Sequence, residues 1–235
     1  MMKNIVIANR LSAEATEYLE RKNIRVLTFP ENINVDKRVA YHADLSFFFD
    51  GMDTLFIAKE FSAFEDELKQ YVSNVVVLNK KLSEKYPGDV LLNCVCVGKN
   101  LICNTDTVYQ EIVGKMKTSG YNIINVKQGY TKCSVVPVSE SALITDDESI
   151  FSECRNHGLD VLKVQKGSVY LEGFDYGFIG GTCGLVDNEL IFNGDITSHP
   201  DFDSIDLFLK KYGIIPFSFE NKLTDIGSII SIGGM

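Results

Sequence analysis

The sequence has no apolar run of the roughly 18–20 residues that a membrane-spanning helix requires. It has no excess of basic residues either: 23 Lys and Arg stand against 32 Asp and Glu, a net charge of −9. Phosphate binding needs a basic footprint, so nucleic acid is not expected as the main partner, and neither is a membrane. There is no C-x-x-C, and His42, His157 and His199 are not paired at ligand spacing, so no metal site and no cofactor are expected. The opening stretch "MMKNIVIANRLSAEATEYLERKN" lacks the long apolar core and small-residue cleavage site of a signal peptide. The expectation is a cytoplasmic protein whose cysteines (Cys94, Cys96, Cys103, Cys133, Cys154, Cys183) are reduced, most of them buried in apolar strands, with Cys94 and Cys96 on one face of a strand.

What is present is ordinary globular composition, 45% hydrophobic and 23% charged, in a chain long enough for a sizeable core. The pattern along it repeats. Segments beginning at Asp44, Asp89, Tyr130 and Phe178 each read strand, tight turn, short strand, helix, strand, with starts 45, 41 and 48 residues apart. The turns "DGMD", "GKN", "SES" and "DNE" are rich in turn formers. The second strands "LFIA", "LICN", "ALIT" and "LIFN" mostly end on polar residues suited to helix N-caps, and in the third segment Thr145 or Asp146 is the expected cap. Helices are expected to stop at "SG" (119–120), "HG" (157–158) and "YG" (212–213).

The ends complete the count. Residues 3–29 read as strand, helix and strand, a unit missing its first strand, and "LTDIGSIISI" (223–232) is a lone strand with no helix after it. Joined, they make a fifth unit and close the sheet edges. The expectation is a single α/β domain over residues 1–235, a closed ring of five ββαβ units with pseudo-fivefold symmetry; an open α/β layer protein is the alternative.

This order of units resembles the pentein, or guanidine-group-modifying, superfamily, which includes dimethylarginine dimethylaminohydrolase, arginine and agmatine deiminases, amidinotransferases and a non-enzymatic ribosome anti-association initiation factor. The elements "HADLSFFF", "GYTKCS", "GFIGG" and "LTDIGSII" are similar to those of uncharacterised bacterial pentein-like domains. The resemblance implies that the first strand of each unit lines a central channel with the site at one mouth. The strand heads expected there are His42, Asp44 and Ser46; Asp89 and Asn93; Tyr130, Lys132 and Cys133; Gly180, Gly181 and Thr182; and Asp225, Gly227 and Ser228. Polar or glycine-bearing heads before apolar bodies fit a small-molecule pocket, and equally a plain solvent boundary.

Pentein hydrolases use a cysteine nucleophile, a histidine that shuttles protons and acids that hold the cationic substrate. In this chain "PGDVL" resembles the family's acidic segment, so Asp89 is implied to hold a cation. The family histidine's place holds Tyr130, and the nucleophile's place holds Ile230 or Ser231. On a strand Lys132 and Cys133 would face opposite ways, with Lys132 at the mouth and Cys133 a packed thiol. His42 reads as a turn residue near the mouth, and His157 as a structural residue at a helix C-terminus. His199 reads as a helix entrance with Asp201 as cap. The glycines of "GFIGGTCG" suit close backbone approach rather than a nucleotide loop. Three readings follow: a binding protein for a guanidino or amino-acid-like ligand at His42, Asp44, Asp89, Asn93, Tyr130, Lys132, Cys133, Gly180, Gly181 and Asp225; a C–N hydrolase with relocated groups such as Cys133, Lys132 and His42; or a macromolecular interaction module. The oligomeric state is not specified by the sequence.

Overall fold

The computed structural model describes residues 5–232; the first four and last three residues of the expected domain lie outside them. Among the described residues, fifteen short strands form five three-stranded sheets. The first joins β1 (Ile5–Ile7) and β2 (Arg25–Leu27) to β15 (Ile230–Ile232). The second holds β3 (Phe47–Phe49), β4 (Thr54–Ile57) and β5 (Asn74–Val77), and the third β6 (Val95–Val97), β7 (Asn100–Cys103) and β8 (Asn122–Asn125). The fourth holds β9 (Val135–Ser139), β10 (Ala142–Thr145) and β11 (Asp160–Lys163), and the fifth β12 (Cys183–Val186), β13 (Glu189–Phe192) and β14 (Ile215–Phe217).

Every sheet has one topology. The inner strand pairs antiparallel with the middle one, and the middle one pairs parallel with the outer strand that follows the crossover. Ile5, Val6 and Ile7 thus find partners in Ile232, Ser231 and Ile230 from the far end of the chain. The inner strands lie side by side in the order β6, β9, β12, β15, β3, and the Asn93 amide donates to the Asp44 carbonyl across the remaining gap.

Four helices follow one plan: α1 (Ala13–Arg21), α4 (Gln110–Thr118), α5 (Glu148–Asn156) and α6 (Phe202–Lys211). At nine or ten residues they are marginal alone, so packing must hold them. Each buries an i, i+4 pair: Ala15 and Leu19, Ile112 and Met116, Ile150 and Cys154, Ile205 and Leu209. A fully buried Leu or Ile side chain stabilises by about 1.5–3 kcal/mol. The ends match as well. Asn23, Gly120, Gly158 and Gly213 take left-handed φ values of 59° to 82°. The next N–H in each case donates back to the carbonyl of Leu19, Met116, Cys154 or Leu209, closing the helix.

Three local expectations are corrected. The cap of α5 is Asp147, not Thr145 or Asp146, and its carboxylate accepts the N–H groups of Ser149 and Ile150. Asn104 does not cap α4 but folds an Asx turn with the Asp106 N–H, leaving Tyr109 at the helix start. In the second unit the crossover is a 3₁₀ turn over Lys59–Phe64 followed by the single-turn helix α3 (Glu65–Leu68), after the equally short α2 (Ala43–Ser46). Phe61 leaves helical geometry there because its buried ring packs against Phe29 and Phe47.

The polar heads of the inner strands are not strand at all. They lie at α2, in the turn at residues 86–89 that holds Asp89 and just after the turn at 91–92 that precedes Asn93, in the turn at 131–134, in a 3₁₀ turn over Ile179–Thr182, and around Gly227 and Ser228 with φ of 78° and 71°. The strand expected over 223–232 therefore shortens to Ile230–Ile232.

Candidate functional site

Because the heads are turns, strand alternation does not govern them. Lys132 and Cys133, expected to face opposite ways, both join one polar cluster, which corrects the sequence reading. The turn is built by Thr131 Oγ1 donating to Gln128 O at 2.6 Å and by the Ser134 N–H donating to Tyr130 O at 3.1 Å.

Asn93 organises the cluster. Its Oδ1 accepts from the N–H groups of Lys132 (2.7 Å) and Cys133 (3.3 Å), and its Nδ2 donates to Asp44 O (3.0 Å) and Cys133 Sγ (3.1 Å). Asp44 is fully buried and its Oδ2 accepts from Ser228 Oγ at 2.7 Å and Cys133 Sγ at 3.2 Å. The Lys132 ammonium donates to Ser228 Oγ (2.9 Å) and Gly180 O (3.2 Å). Gly180 and Gly181 sit where a side chain would collide with protein. A Cβ on Gly180 would fall 2.4–2.7 Å from the carbonyls of Val135, Lys132 and Cys133, and one on Gly181 would fall 2.0 Å from Asp225 Oδ1. These two glycines let main chain and a carboxylate approach.

Asp225 is buried beside them. Its carboxylate accepts the N–H groups of Phe178 and Gly227, both at 2.9 Å, and His42 Nδ1 stands 3.8 Å away. His42 starts α2 but makes no side-chain cap; its ring is buried against Gly227 and Asp225 instead. Asp89 lies toward the rim, with its Oδ2 accepting from Tyr130 OH at 2.5 Å. Burial raises the Asp225 carboxyl above its ordinary value, with His42 opposing and Asp44 reinforcing the rise. Burial also raises Asp89, against the Tyr130 hydrogen bond. The Cys133 thiol is pushed well above the usual cysteine range by burial, then by Asp44 and Asp225.

Asp44, Asp89 and Asp225 are all buried, and among the described residues none pairs within 4 Å with a lysine or arginine. Among the described residues, Asp44 Oδ1 and Asp89 Oδ1 meet no hydrogen-bond donor. Of the other histidines, His157 ends α5, and buried His199 accepts the N–H of Asp201, which starts α6 without a capping bond. Among the described residues no group of three His, Cys, Asp or Glu side chains is placed to hold a metal, and no helix is long and apolar enough to cross a membrane.

Of two further features, Ser228 was expected only as one strand head among others, and the segment 165–178 was not expected at the site. Ser228 is a hub whose left-handed backbone holds its hydroxyl among Asp44, Gly180 and Lys132; its signal was the glycine before it. The segment 165–178 runs beside this cluster, with Tyr170 bridged to Thr224 and the Phe178 N–H on Asp225. Its aromatic density, "VYLEGFDYGF", was the available signal.

Residues 6–230 match the model of a family of unknown function, DUF6873. The chain belongs to this family. No curated protein matches it. Among solved structures it is similar to a citrulline complex of dimethylarginine dimethylaminohydrolase from Pseudomonas aeruginosa, at TM-score 0.58 and 10% identity over 95% of this chain and 96% of that one. It is also similar to the amidinotransferase SxtG from Microseira wollei, at TM-score 0.57 and 11% identity over 89% and 74% of the two chains. A third is the inosamine-phosphate amidinotransferase StrB1 from Streptomyces griseus, at 0.53 and 11% over 92% and 77%. The DUF6873 chain therefore has the pentein fold expected from its repeats.

Proposed function

We propose that this protein binds a cationic small molecule at the mouth formed by the five inner-strand heads, and that it does so without hydrolysing it. One observation carries the reading: Asp44, Asp89 and Asp225 are buried carboxylates, two of them with an oxygen that meets no donor among the described residues, and the one ammonium in the cluster, that of Lys132, reaches Asp44 only through the Ser228 hydroxyl. An unpaired buried carboxylate is costly, and a guanidinium or amine would supply the missing donors and charge. The structural neighbours include proteins that act on guanidino groups, which accords with that choice of ligand.

The chemistry favours binding over turnover. The places where the superfamily resemblance puts a histidine and a cysteine hold Tyr130 and Ile230 or Ser231. Ile230 and Ser231 are committed to pairing with Ile7 and Val6. Cys133 is at the site, but a thiol that donates to Asp44 and resists ionisation is a poor nucleophile. The test is thermal denaturation with agmatine, arginine and methylguanidine. A ligand at 100 times its Kd stabilises by about 2.7 kcal/mol, which moves the midpoint by roughly 5–10 °C in a chain of this size. The shift is expected to vanish in Asp89→Asn. If no cation shifts the wild-type midpoint, or if Asp89→Asn responds as fully, the reading is wrong.

A further inference from the structure

Four aromatic rings form a continuous row beside the Asp89 carboxylate. Tyr86 and Tyr130 have centroids 6.0 Å apart, Tyr130 and Phe178 stack at 5.9 Å and 21°, and Tyr176 meets Phe178 edge-on at 6.5 Å. They come from three successive units, each from chain that precedes an inner strand. Tyr86 is 52% exposed and Tyr176 40%, while Tyr130 and Phe178 are half-buried. The row is built into the fold. Gly129 makes room for the Tyr86 ring, since a Cβ there would stand 2.5 Å from Cε2, and Asp89 fixes the Tyr130 hydroxyl. Next to that hydroxyl lies Asp89 Oδ1, the buried oxygen without a donor.

A carboxylate alone would select any cation. Aromatic faces beside it add two preferences: cation attraction to the ring faces, and stacking of a flat apolar body. We infer that the ligand is a planar aromatic cation, an arylamidine, whose charged end reaches Asp89 while its ring lies on the Tyr86–Tyr130–Phe178 row. This rests on the cation-binding reading above and specifies its ligand. Tyr86, with the most exposed ring, is the main specificity determinant; it acts by stacking, and Tyr130 positions Asp89.

Two amidines of the same charge, benzamidinium and acetamidinium, separate the ring from the cation. Titration calorimetry on the whole protein is expected to show benzamidinium binding about tenfold more tightly, the scale of one good aromatic contact. Tyr86→Ala changes a surface side chain and is expected to bring the two ligands to similar affinity; Phe178→Leu, which keeps an apolar filler, is expected to do so in part. Equal binding of both amidines by the wild type would overturn the aromatic inference and leave the cation reading standing. A benzamidinium preference that survives both variants would overturn it too, since the ring would then lie elsewhere. If neither amidine binds, and agmatine, arginine and methylguanidine do not either, both readings fail.

Discussion

Replacing Asn93 with alanine should do more damage than any other single polar substitution at the mouth. The Asn93 amide touches three units at once, receiving the N–H groups of Lys132 and Cys133 and donating to Asp44 O and Cys133 Sγ. Alanine leaves the N–H groups of Lys132 and Cys133 and the Asp44 carbonyl without this partner, at a residue only 1% exposed. A buried polar group stripped of its partner costs about 1–3 kcal/mol. The Cys133 N–H bond is long, and shared groups are not additive, so roughly 3–5 kcal/mol is expected in total. For a domain of this size that lowers the melting midpoint by roughly 6–20 °C. Urea unfolding followed by circular dichroism, with the slope m checked for constancy, measures it directly. Asn122→Ala, an exposed amide with a single long contact at 3.4 Å, is the control, expected within about 0.5 kcal/mol of wild type. An Asn93→Ala protein within 1 kcal/mol of wild type, in the same experiment, would show that the heads are not held together by this amide.

Cys133 should not react with iodoacetamide in the folded protein at pH 8, and Cys133→Ala should cost only about 1 kcal/mol, because its thiol is buried and resists ionisation; rapid alkylation mapped to Cys133 by mass spectrometry would revive it as a nucleophile. Asp146 gives a pH signature. Burial lifts its carboxyl from 3.8 to about 6, so the folded state holds a proton that the unfolded state has lost between those values. Its contribution is whole below about pH 4 and disappears as the pH rises through about 6. Relative to Asp146→Asn, the wild type should lose stability over that window, by up to about 3 kcal/mol; parallel pH profiles from urea melts would contradict the assignment.

Much of the fold was legible in the sequence because its signals are local. Glycine after a short polar helix end, a two- or three-residue turn between apolar runs, and a terminal strand without a helix each state their own geometry. The mouth was less legible. Nothing between Tyr130 and Val135 is a glycine or proline, and Thr, Cys and Val favour strands, so the stretch reads as extended. It becomes a turn because Asn93, from another unit, captures two successive N–H groups, a cause that no local window contains. That Asp44 and Asp225 share one cluster was legible only through the repeat, which places equivalent positions at one end of the fold. The aromatic row was not, since its rings meet across units and share no spacing.

The pairing of Ile7 with Ile230 has a consequence for how the protein is made. During synthesis the second, third, fourth and fifth sheets can each form from contiguous chain, but the first must wait with an open edge until the last inner strand leaves the ribosome. A strand of three buried isoleucine and valine residues with one edge unpaired is a template for wrong partners throughout that interval. A circular permutant cut in the exposed stretch near Lys80 and Lys81 would make every sheet local in sequence. It should fold faster, with less aggregation at the same final stability, because the order of loop closure has changed while the contacts have not.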